Sequence, residues 1–144
     1  MIIRKAAQQD IEPVKTLLAE SDLYNADIDG DAGQFFLIAR EEEWLIGSVA
    51  LEVAGEAALL RSLAVRPEYR RKGVATKLVG AIESQAKSQR VMSLYLLTLT
   101  AADFFTARGY KHTDRAQAPV ALQATTEFKS ICPASAVCMK KKIG

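Results

Sequence analysis

The residues best suited to chemistry lie in one basic turn. Arg70, Arg71 and Lys72 directly precede Gly73. Apolar residues before this turn predict a strand and those after it a helix, so the turn opens into a helix N-terminus. Unpaired backbone N–H groups and the helix dipole attract anions there, and the basic side chains add mobile positive charge. Because Gly73 and Ala75 have little or no side chain, a pyrophosphate can approach closely, and the turn predicts a phosphate-bearing cofactor.

Two common phosphate-binding motifs do not fit this turn. The P-loop ends in Gly-Lys-Ser/Thr, whereas the order here is Lys72-Gly73. The dinucleotide-binding fingerprint needs three spaced glycines, and the turn contains only Gly73. The cofactor is therefore of another phosphate-bearing class.

Length and composition set the broad class of protein. The chain has 144 residues, of which 49% are hydrophobic, enough for one core without disulfides or metals. A net charge of +2, from 19 basic and 17 acidic residues, does not indicate a nucleic-acid partner. The sequence shows no signal-peptide pattern and no apolar run of membrane-spanning length. It predicts a single domain over residues 1–144 in a soluble cytoplasmic protein, with no nucleic-acid or membrane partner and with Lys140–Lys142 as a solvated terminus.

The hydrophobic periodicity predicts a mixed α/β (α+β) fold. Strands come first in the chain, and strands and helices then alternate. Strands are expected at 2–7, 35–39, 44–53, 57–65, 91–97, 110–115 and 134–139. A first helix is expected after a cap at Asp10, and further helices at 74–88, 101–108 and 121–130.

The basic turn is part of a longer pattern. Arg70-x-x-Gly73-x-Ala75, preceded by Leu63-Ala64-Val65-x-Pro67, resembles the Q/R-x-x-G-x-G/A element of the GNAT acetyltransferases. The stretch 98–110 also resembles that family's Asn-x-x-Ala-x-x-Phe-Tyr-x-x-x-Gly-Phe, with Thr98 replacing the asparagine and Phe105 the tyrosine. The resemblance implies the GNAT acyl-CoA acyltransferase fold, a mixed and mostly antiparallel sheet of about seven strands with helices on both faces.

The same resemblance implies an acetyl-CoA-dependent N-acetyltransferase in which a neutral amine attacks the thioester directly. The pantetheine arm is expected where strand 57–65 splays from strand 91–97. In many relatives a tyrosine protonates the leaving thiolate, which Phe105 cannot do. The implied cofactor-binding residues are Leu63, Ala64, Val65, Arg70, Arg71, Lys72, Gly73, Val74, Ala75, Thr76, Thr98 and Phe104.

A narrower resemblance covers roughly the second half of the chain. Segments 60–65, 94–110 and 124–136 are similar to the arsenic-resistance N-acetyltransferase subgroup. This implies a small amine substrate, with arsenic- or phosphorus-containing amino acid analogues among the options, and a monomer or homodimer. Two alternatives stay open: a protein N-terminal or lysine acetyltransferase, and a non-catalytic acyl-CoA-binding module of the same fold.

Four side chains are candidates for the acceptor side of the reaction. Glu52, late in the third strand, is the candidate base for the amine proton, with an ordinary solvent-facing strand residue as the alternative. Arg61 is a charge in an apolar strand, on the same alternation as Leu63. It either grips a substrate carboxylate or phosphinate or reaches out of the sheet into solvent. Tyr24 and Asp27, in the early loop, are candidates for the amine site.

The cysteines do not predict a metal site. The chain has two cysteines and one histidine, His112, too few ligands for the usual zinc sets. Cys138 lies in an apolar strand, where it is expected to pack in the core. A Cys-His acyl-enzyme with Cys132 or Cys138 is a less favoured alternative to direct transfer.

Overall fold

A computed structural model describes residues 1–28, 33–125, 128–129 and 136–144. Its strands are Ile2–Lys5 (β1), Phe35–Glu41 (β2), Trp44–Ala54 (β3), Ala57–Val65 (β4), Ser93–Thr98 (β5), Lys111–His112 (β6) and Val137–Lys142 (β7). Its α-helices are Ile11–Glu20 (α1), Val74–Ser88 (α2), Ala102–Thr106 (α3) and Val120–Gln123 (α4).

The described strands form one seven-stranded sheet in the order β1-β2-β3-β4-β5-β7-β6. The pairs β1–β2, β2–β3, β5–β7 and β6–β7 are antiparallel. β4 and β5 run parallel, in a register from Ala57↔Ser93 to Leu59↔Tyr95. This topology confirms the predicted mixed, mostly antiparallel sheet. In the described part of the chain, no helix is long and apolar enough to cross a membrane.

The chain forms two compact units, and the first comprises Met1–Glu52 and Leu60–Gln85. α1 presents apolar residues at helical spacing, and these pack against side chains of β2 and β3 because a helix buries one stripe of its surface. The buried cluster consists of Ile11, Val14, Leu17, Leu18, Ile28, Phe36, Ile38, Leu45, Ala50 and Ala64. Each large apolar side chain buried in this way contributes about 1.5–3 kcal/mol.

The second unit comprises Val53–Leu59 and Ala86–Gly144. The start of β4, together with β5 and β7, supplies one side of its core, and residues around α4 supply the other. The buried cluster consists of Ala57, Leu59, Tyr95, Ala118, Leu122, Phe128 and Cys138. The sequence-based expectation of a single domain over residues 1–144 stays a prediction.

The element bounds after residue 90 differ from those predicted. The strand expected at 110–115 is reduced to Lys111–His112, because Arg115–Gln117 forms a 3-10 turn whose Ala116 N–H donates to the Asp114 carboxylate at 3.0 Å. Of the helix expected at 121–130, α4 ends at Gln123, residues 124–125 form a turn and a bend, and residues 128–129 are helical again. Residues 126–127 and 130 lie outside the described residues.

The interpretation of Lys140–Lys142 as a solvated terminus holds only in part, because Lys140 and Lys142 are exposed but all three residues lie in a paired strand. These residues belong to β7 and pair with Tyr95, Leu94 and Ser93 of β5. The lysine side chains lie over aromatic rings, with Lys140 Nζ 5.4 Å from the Tyr95 ring centroid and Lys141 Nζ 5.5 Å from that of Tyr110. Long lysine stems cover apolar surface while their ammonium groups stay near solvent, so three lysines are compatible with a paired strand.

Asp10 is a cap, but not in the way predicted. Its carboxylate makes no capping bond to α1; it accepts the Ala7 N–H at 2.7 Å, at the start of a 3-10 turn that leads into the helix. The carboxylate is buried and also accepts from Arg4 Nη1 at 2.9 Å, with Arg40 Nη1 at 3.7 Å. Burial alone raises the pKa of Asp10, but the Ala7 hydrogen bond and the two arginines outweigh it, so the net pKa lies below its ordinary value.

Asp10→Asn is expected to lose about 1–3 kcal/mol of stability at neutral pH, because it removes charge-assisted hydrogen bonds. A carboxylate with a lowered pKa stabilises the fold above its ordinary pKa of 3.8, and this contribution disappears as the pH falls through the lower folded-state value. Urea unfolding at a series of pH values measures the difference in the free energy of unfolding between wild type and Asp10→Asn. We expect this difference to shrink below about pH 4. A difference that stays constant down to that range contradicts this account.

Gly47 allows β3 to approach α2 and β4 closely. A Cβ at this position would lie 3.0 Å from Leu78 Cδ1, 3.2 Å from the Ala64 carbonyl oxygen and 3.4 Å from Val74 Cγ1. A backbone oxygen cannot move aside as a flexible side-chain end does. The lack of a side chain at Gly47 therefore sets the distance between these elements.

Gly47→Ala is expected to lower the free energy of unfolding by about 1–3 kcal/mol through overpacking. Gly80→Ala is the matched control, because Gly80 lies on α2 and a Cβ there would meet no atom within 4 Å. We expect this control to stabilise the protein by about 0.5–1 kcal/mol, since alanine is the better helix former. Urea denaturation measures both, and equal changes of the same sign would refute the steric role of Gly47.

Candidate functional site

β4 departs from regular strand geometry at Ser62. This residue has φ = 59°, a left-handed conformation that is rare within strands for residues with a Cβ. Its carbonyl oxygen accepts a hydrogen bond from Ser48 Oγ at 2.9 Å, in the buried interior. This irregular residue lies between Arg61 and Leu63, and the expectation that these two share one alternation stays a prediction.

Arg61 lies at the centre of a buried ion network. Its side chain is 0% exposed, so the alternative in which it reaches solvent is wrong. Nη1 donates to Glu52 Oε1 at 2.7 Å and also to Asp27 Oδ2, and Nη2 donates to Asp27 Oδ1 at 2.7 Å. Nε donates to Ser62 Oγ at 3.1 Å. We call Asp27, Glu52 and Arg61 the Arg61 cluster.

The two carboxylates of the cluster are partly accessible. The Asp27 side chain is 13% exposed and that of Glu52 16%, so the solvent-facing alternative for Glu52 is wrong. Gln34 Nε2 also donates to Asp27 Oδ2, at 3.2 Å. Among the described residues, Glu52 Oε2 has no hydrogen-bond partner. The cluster carries two negative charges and one positive charge, with one carboxylate oxygen left for a further proton or donor.

The early loop reaches this cluster through two residues. Asp27 forms the ion pair, and the Tyr24 ring centroid lies 6.0 Å from the Arg61 Cζ. The structure thus brings together all four acceptor-side candidates. The sequence did not indicate that Ser48 and Ser62 also bond within this region, although two serines inside apolar strands were an available signal.

The basic turn has the form expected of an anion site. Gly73 has φ = 82°, and a Cβ built on it would meet no atom within 4 Å. Lys77 N–H donates to the Gly73 carbonyl at 3.1 Å, which places the first turn of α2 directly after Gly73. Arg71 and Lys72 are exposed beside it. Open space, helix N–H groups and cationic side chains fit a pyrophosphate.

Arg70 differs from its two basic neighbours. Its Nε donates to the Val65 carbonyl at 3.0 Å, at the end of β4. The expectation of mobile charge is therefore wrong for Arg70, which is anchored and fixes the path of the turn against the strand. The Lys72 Nζ lies 5.5 Å from the Tyr69 ring centroid.

The remaining predicted cofactor-binding residues lie on the same elements or follow β5. Thr98 Oγ1 accepts the Ala101 N–H at 2.9 Å and so shapes the turn after β5. The Phe104 ring stacks against Arg108, whose Cζ lies 3.9 Å from the ring centroid. Ala64, Val65 and Val74 are buried, Leu63 and Ala75 are half-buried, and Thr76 is exposed.

Phe105 is a packing residue. Its ring is 4% exposed and makes edge-to-face contacts with Phe104 at 5.1 Å and Tyr110 at 5.3 Å between centroids. Aromatic pairs in this geometry stabilise a core beyond the area that they bury. The phenyl ring therefore holds α3 through packing and offers no proton donor.

Cys138 is a buried thiol in the second unit. Burial raises its pKa, and Asp114 raises it further, while Arg115 acts in the opposite direction. Cys132 lies outside the described residues, and His112 is exposed. Over the ranges that the structure describes, no three metal-ligating side chains lie close together. Cys138 is thus suited to packing and poorly suited to nucleophilic attack.

In a Cys132→Ser variant, we expect Cys138 to react with Ellman's reagent at least about a hundredfold more slowly in the folded protein than in guanidinium, because the reactive thiolate is disfavoured and shielded. Absorbance of the released chromophore measures both rates. A folded-state rate close to the unfolded one contradicts the buried, high-pKa thiol.

Comparison with known proteins places these features in a family. Residues 3–110 match the family described as Acetyltransferase (GNAT) family. The chain belongs to this family. Membership in this family confirms the resemblance that the motifs predicted.

Two relatives from Pseudomonas are similar in sequence to much of this chain. The chain is 27% identical over 128 residues to an amino-acid acetyltransferase of Pseudomonas fluorescens, covering 83% of this chain and 30% of the relative. A Pseudomonas putida protein of the same name is 32% identical over 95 residues, covering 65% of this chain and 22% of that protein. The chain thus spans less than a third of the length of these relatives.

Two solved structures are similar across the whole chain. N-acetylglutamate synthase from Neisseria gonorrhoeae, complexed with coenzyme A and N-acetyl-glutamate, superposes with a TM-score of 0.84 at 20% identity, covering 99% of this chain and 35% of that one. A GNAT-family acetyltransferase from Staphylococcus aureus Mu50 gives 0.76 at 16% identity, covering 99% of both chains. At these identities the likeness concerns the fold, and it agrees with the predicted GNAT architecture.

Proposed function

We propose that this chain transfers the acetyl group of acetyl-CoA to the amine of a small, amino acid-like substrate, with arsenic- or phosphorus-containing amino acid analogues as the finer candidates. The observation that carries the proposal is the open, basic turn at Gly73, which begins α2 within the family-matched segment. The name of the Pseudomonas relatives, amino-acid acetyltransferase, supports an amino acid-like acceptor.

The cosubstrate would be held mainly through backbone and charge. The N–H groups at the start of α2, with Arg71 and Lys72, would bind the pyrophosphate. Leu63, Ala64 and Val65 would offer backbone groups to the pantetheine arm, and Arg70 would keep the turn in place through its bond to Val65. Val74, Ala75 and Thr76 complete the proposed set in the first unit, and Thr98 and Phe104 stay predictions from the resemblance alone.

Acetyl-CoA supplies an activated acyl group with a thiolate leaving group. In the proposed reaction the neutral amine nitrogen forms a bond to the acyl carbon, and the carbon–sulfur bond breaks with its electron pair on sulfur. Glu52 is the proposed base, because its Oε2 is available for the amine proton. Since Phe105 has no acidic hydrogen, the thiolate would take its proton from water.

Gly73→Glu is expected to reduce substrate-dependent thiol release from acetyl-CoA at least about a hundredfold, since a carboxylate placed at the pyrophosphate repels it. Gly80→Glu is the control for the added negative charge: it places the same side chain at an exposed helical site with open space, without the left-handed φ of 82° at Gly73. The assay follows free thiol with amino acids, phosphinate and arsenical analogues, polyamines and short peptides. Circular dichroism of both variants checks that each is folded.

The outcomes of this panel are distinct. Activity on amino acids or their analogues, lost in Gly73→Glu and kept in Gly80→Glu, supports the proposal. Activity confined to peptides would replace it with a protein acetyltransferase. Binding of acetyl-CoA in calorimetry without any turnover would indicate the non-catalytic module, and equal behaviour of the two glutamate variants would remove Gly73 from the site.

A further inference from the structure

We propose that Arg61 is a positioning residue, whose buried guanidinium holds Glu52 and Asp27 in their working places without itself binding the substrate. This inference rests on the proposed function, because it assigns Glu52 the role of base. It replaces the sequence-based hypothesis that Arg61 grips a substrate carboxylate or phosphinate.

Arg61 is the most deeply buried member of the cluster. Its side chain is 0% exposed, whereas those of Asp27 and Glu52 are 13% and 16% exposed. A buried charge is stable only with close partners, and it loses them only at a large desolvation cost. The carboxylates lie on the accessible side of the cluster, and the guanidinium lies behind them. A ligand entering the cluster therefore meets the carboxylates first.

The N–H donors of Arg61 are engaged mainly by protein groups. A guanidinium has five N–H donors in a fixed plane. Arg61 donates four hydrogen bonds to described side chains: two to Asp27, one to Glu52 and one to Ser62. The bidentate arrangement that a substrate carboxylate would need is already made with Asp27. The guanidinium N–H groups of Arg61 thus bind side chains of the protein rather than groups of a ligand.

For Glu52, the contact with Arg61 determines which oxygen can act. Oε1 accepts from Nη1 at 2.7 Å, while Oε2 has no partner among the described residues. A carboxylate held by one oxygen has a fixed plane, so Oε2 is presented in one direction. Orientation of a base in this way matters because proton transfer requires hydrogen-bond distance to the attacking nitrogen.

For Asp27, the contact ties an irregular segment to the sheet. Residues 21–28 contain turns but neither helix nor strand, and Asp27 is 34 positions away from Arg61 in sequence. Gln34 adds two bonds to Asp27, one to its carboxylate at 3.2 Å and one to its carbonyl at 3.1 Å. The Tyr24 ring, 6.0 Å from Arg61 Cζ, belongs to the same segment. Arg61 therefore determines where the early loop lies relative to Glu52.

The test compares Arg61→Lys, Asp27→Asn and Glu52→Gln with wild type, using the best amino acid of the panel and the matching amine that lacks the α-carboxylate. Arg61→Lys keeps the charge but loses the fork, so kcat should fall about 10- to 100-fold for both substrates alike. Glu52→Gln should lower kcat at least as much. Asp27→Asn should mainly raise KM, since Arg61 can still hold Glu52.

Two further readouts separate positioning from a general loss of stability. Methylguanidinium added to Arg61→Ala should occupy the space left by the side chain and raise the kcat of this variant about tenfold or more. Hydrogen exchange of residues 23–28 should accelerate about tenfold or more in Arg61→Lys and Asp27→Asn, but not in Glu52→Gln. If Arg61→Ala does not fold, the kinetics of Arg61→Lys and the hydrogen-exchange data decide whether Arg61 is a positioning residue.

Three results would overturn the inference. The first is a rise in KM for the carboxylate-bearing substrate only, which would make Arg61 a substrate clamp. The second is an unchanged kcat in folded Arg61→Lys, and the third is unchanged exchange at 23–28 in that variant. If wild-type protein releases no thiol with any amine, the proposed function fails, and the exchange experiment still decides whether Arg61 holds the loop.

Discussion

The burial of the Arg61 guanidinium away from water is the constraint on which the polar interior of the first unit depends. Removing an arginine charge from solvent costs several kcal/mol unless nearby carboxylates and acceptors replace the lost hydration. Arg61 obtains them from three places: β3, its own strand and the loop at Asp27. The loop is thereby located by charge, where the backbone offers no ladder of hydrogen bonds. Ile28, 1% exposed in the adjacent core, adds apolar packing at the same point.

The first unit places its cationic side chains in two opposite environments, one exposed and one buried. Arg71 and Lys72 are exposed and hydrated, so an arriving phosphate exchanges only loosely held water for them. Arg61 has no solvent to exchange and keeps its partners permanently. The first arrangement suits reversible binding of an anion, and the second suits a scaffold that must not move during turnover. Arg70 stands between them, with its Nε anchored on Val65 while the residue as a whole stays exposed.

Sequence reasoning succeeded where one local pattern decides the outcome. The bounds of α2, Val74–Ser88, were predicted from its periodicity because a basic turn and a glycine precede a strongly amphipathic run. It failed where distant pairing decides: β7 includes Lys140–Lys142 because their partners lie on β5, 45 to 49 residues earlier in the chain. The Arg61 cluster was predicted in part and missed in part. A charge within an apolar strand signalled an unusual site, but neither its carboxylate partners nor the left-handed Ser62 could be read from spacing.

The two-residue strand β6 has a consequence for association between copies of the chain. β6 lies last in the sheet order, and its Lys111 stands directly opposite Lys140 of β7. Both residues are exposed, and like charges facing each other across a pair weaken it slightly. An incoming strand at this edge would find little backbone to bond and would add to a concentration of positive charge. The local loss in pairing strength thus disfavours edge-to-edge aggregation at this end of the described sheet.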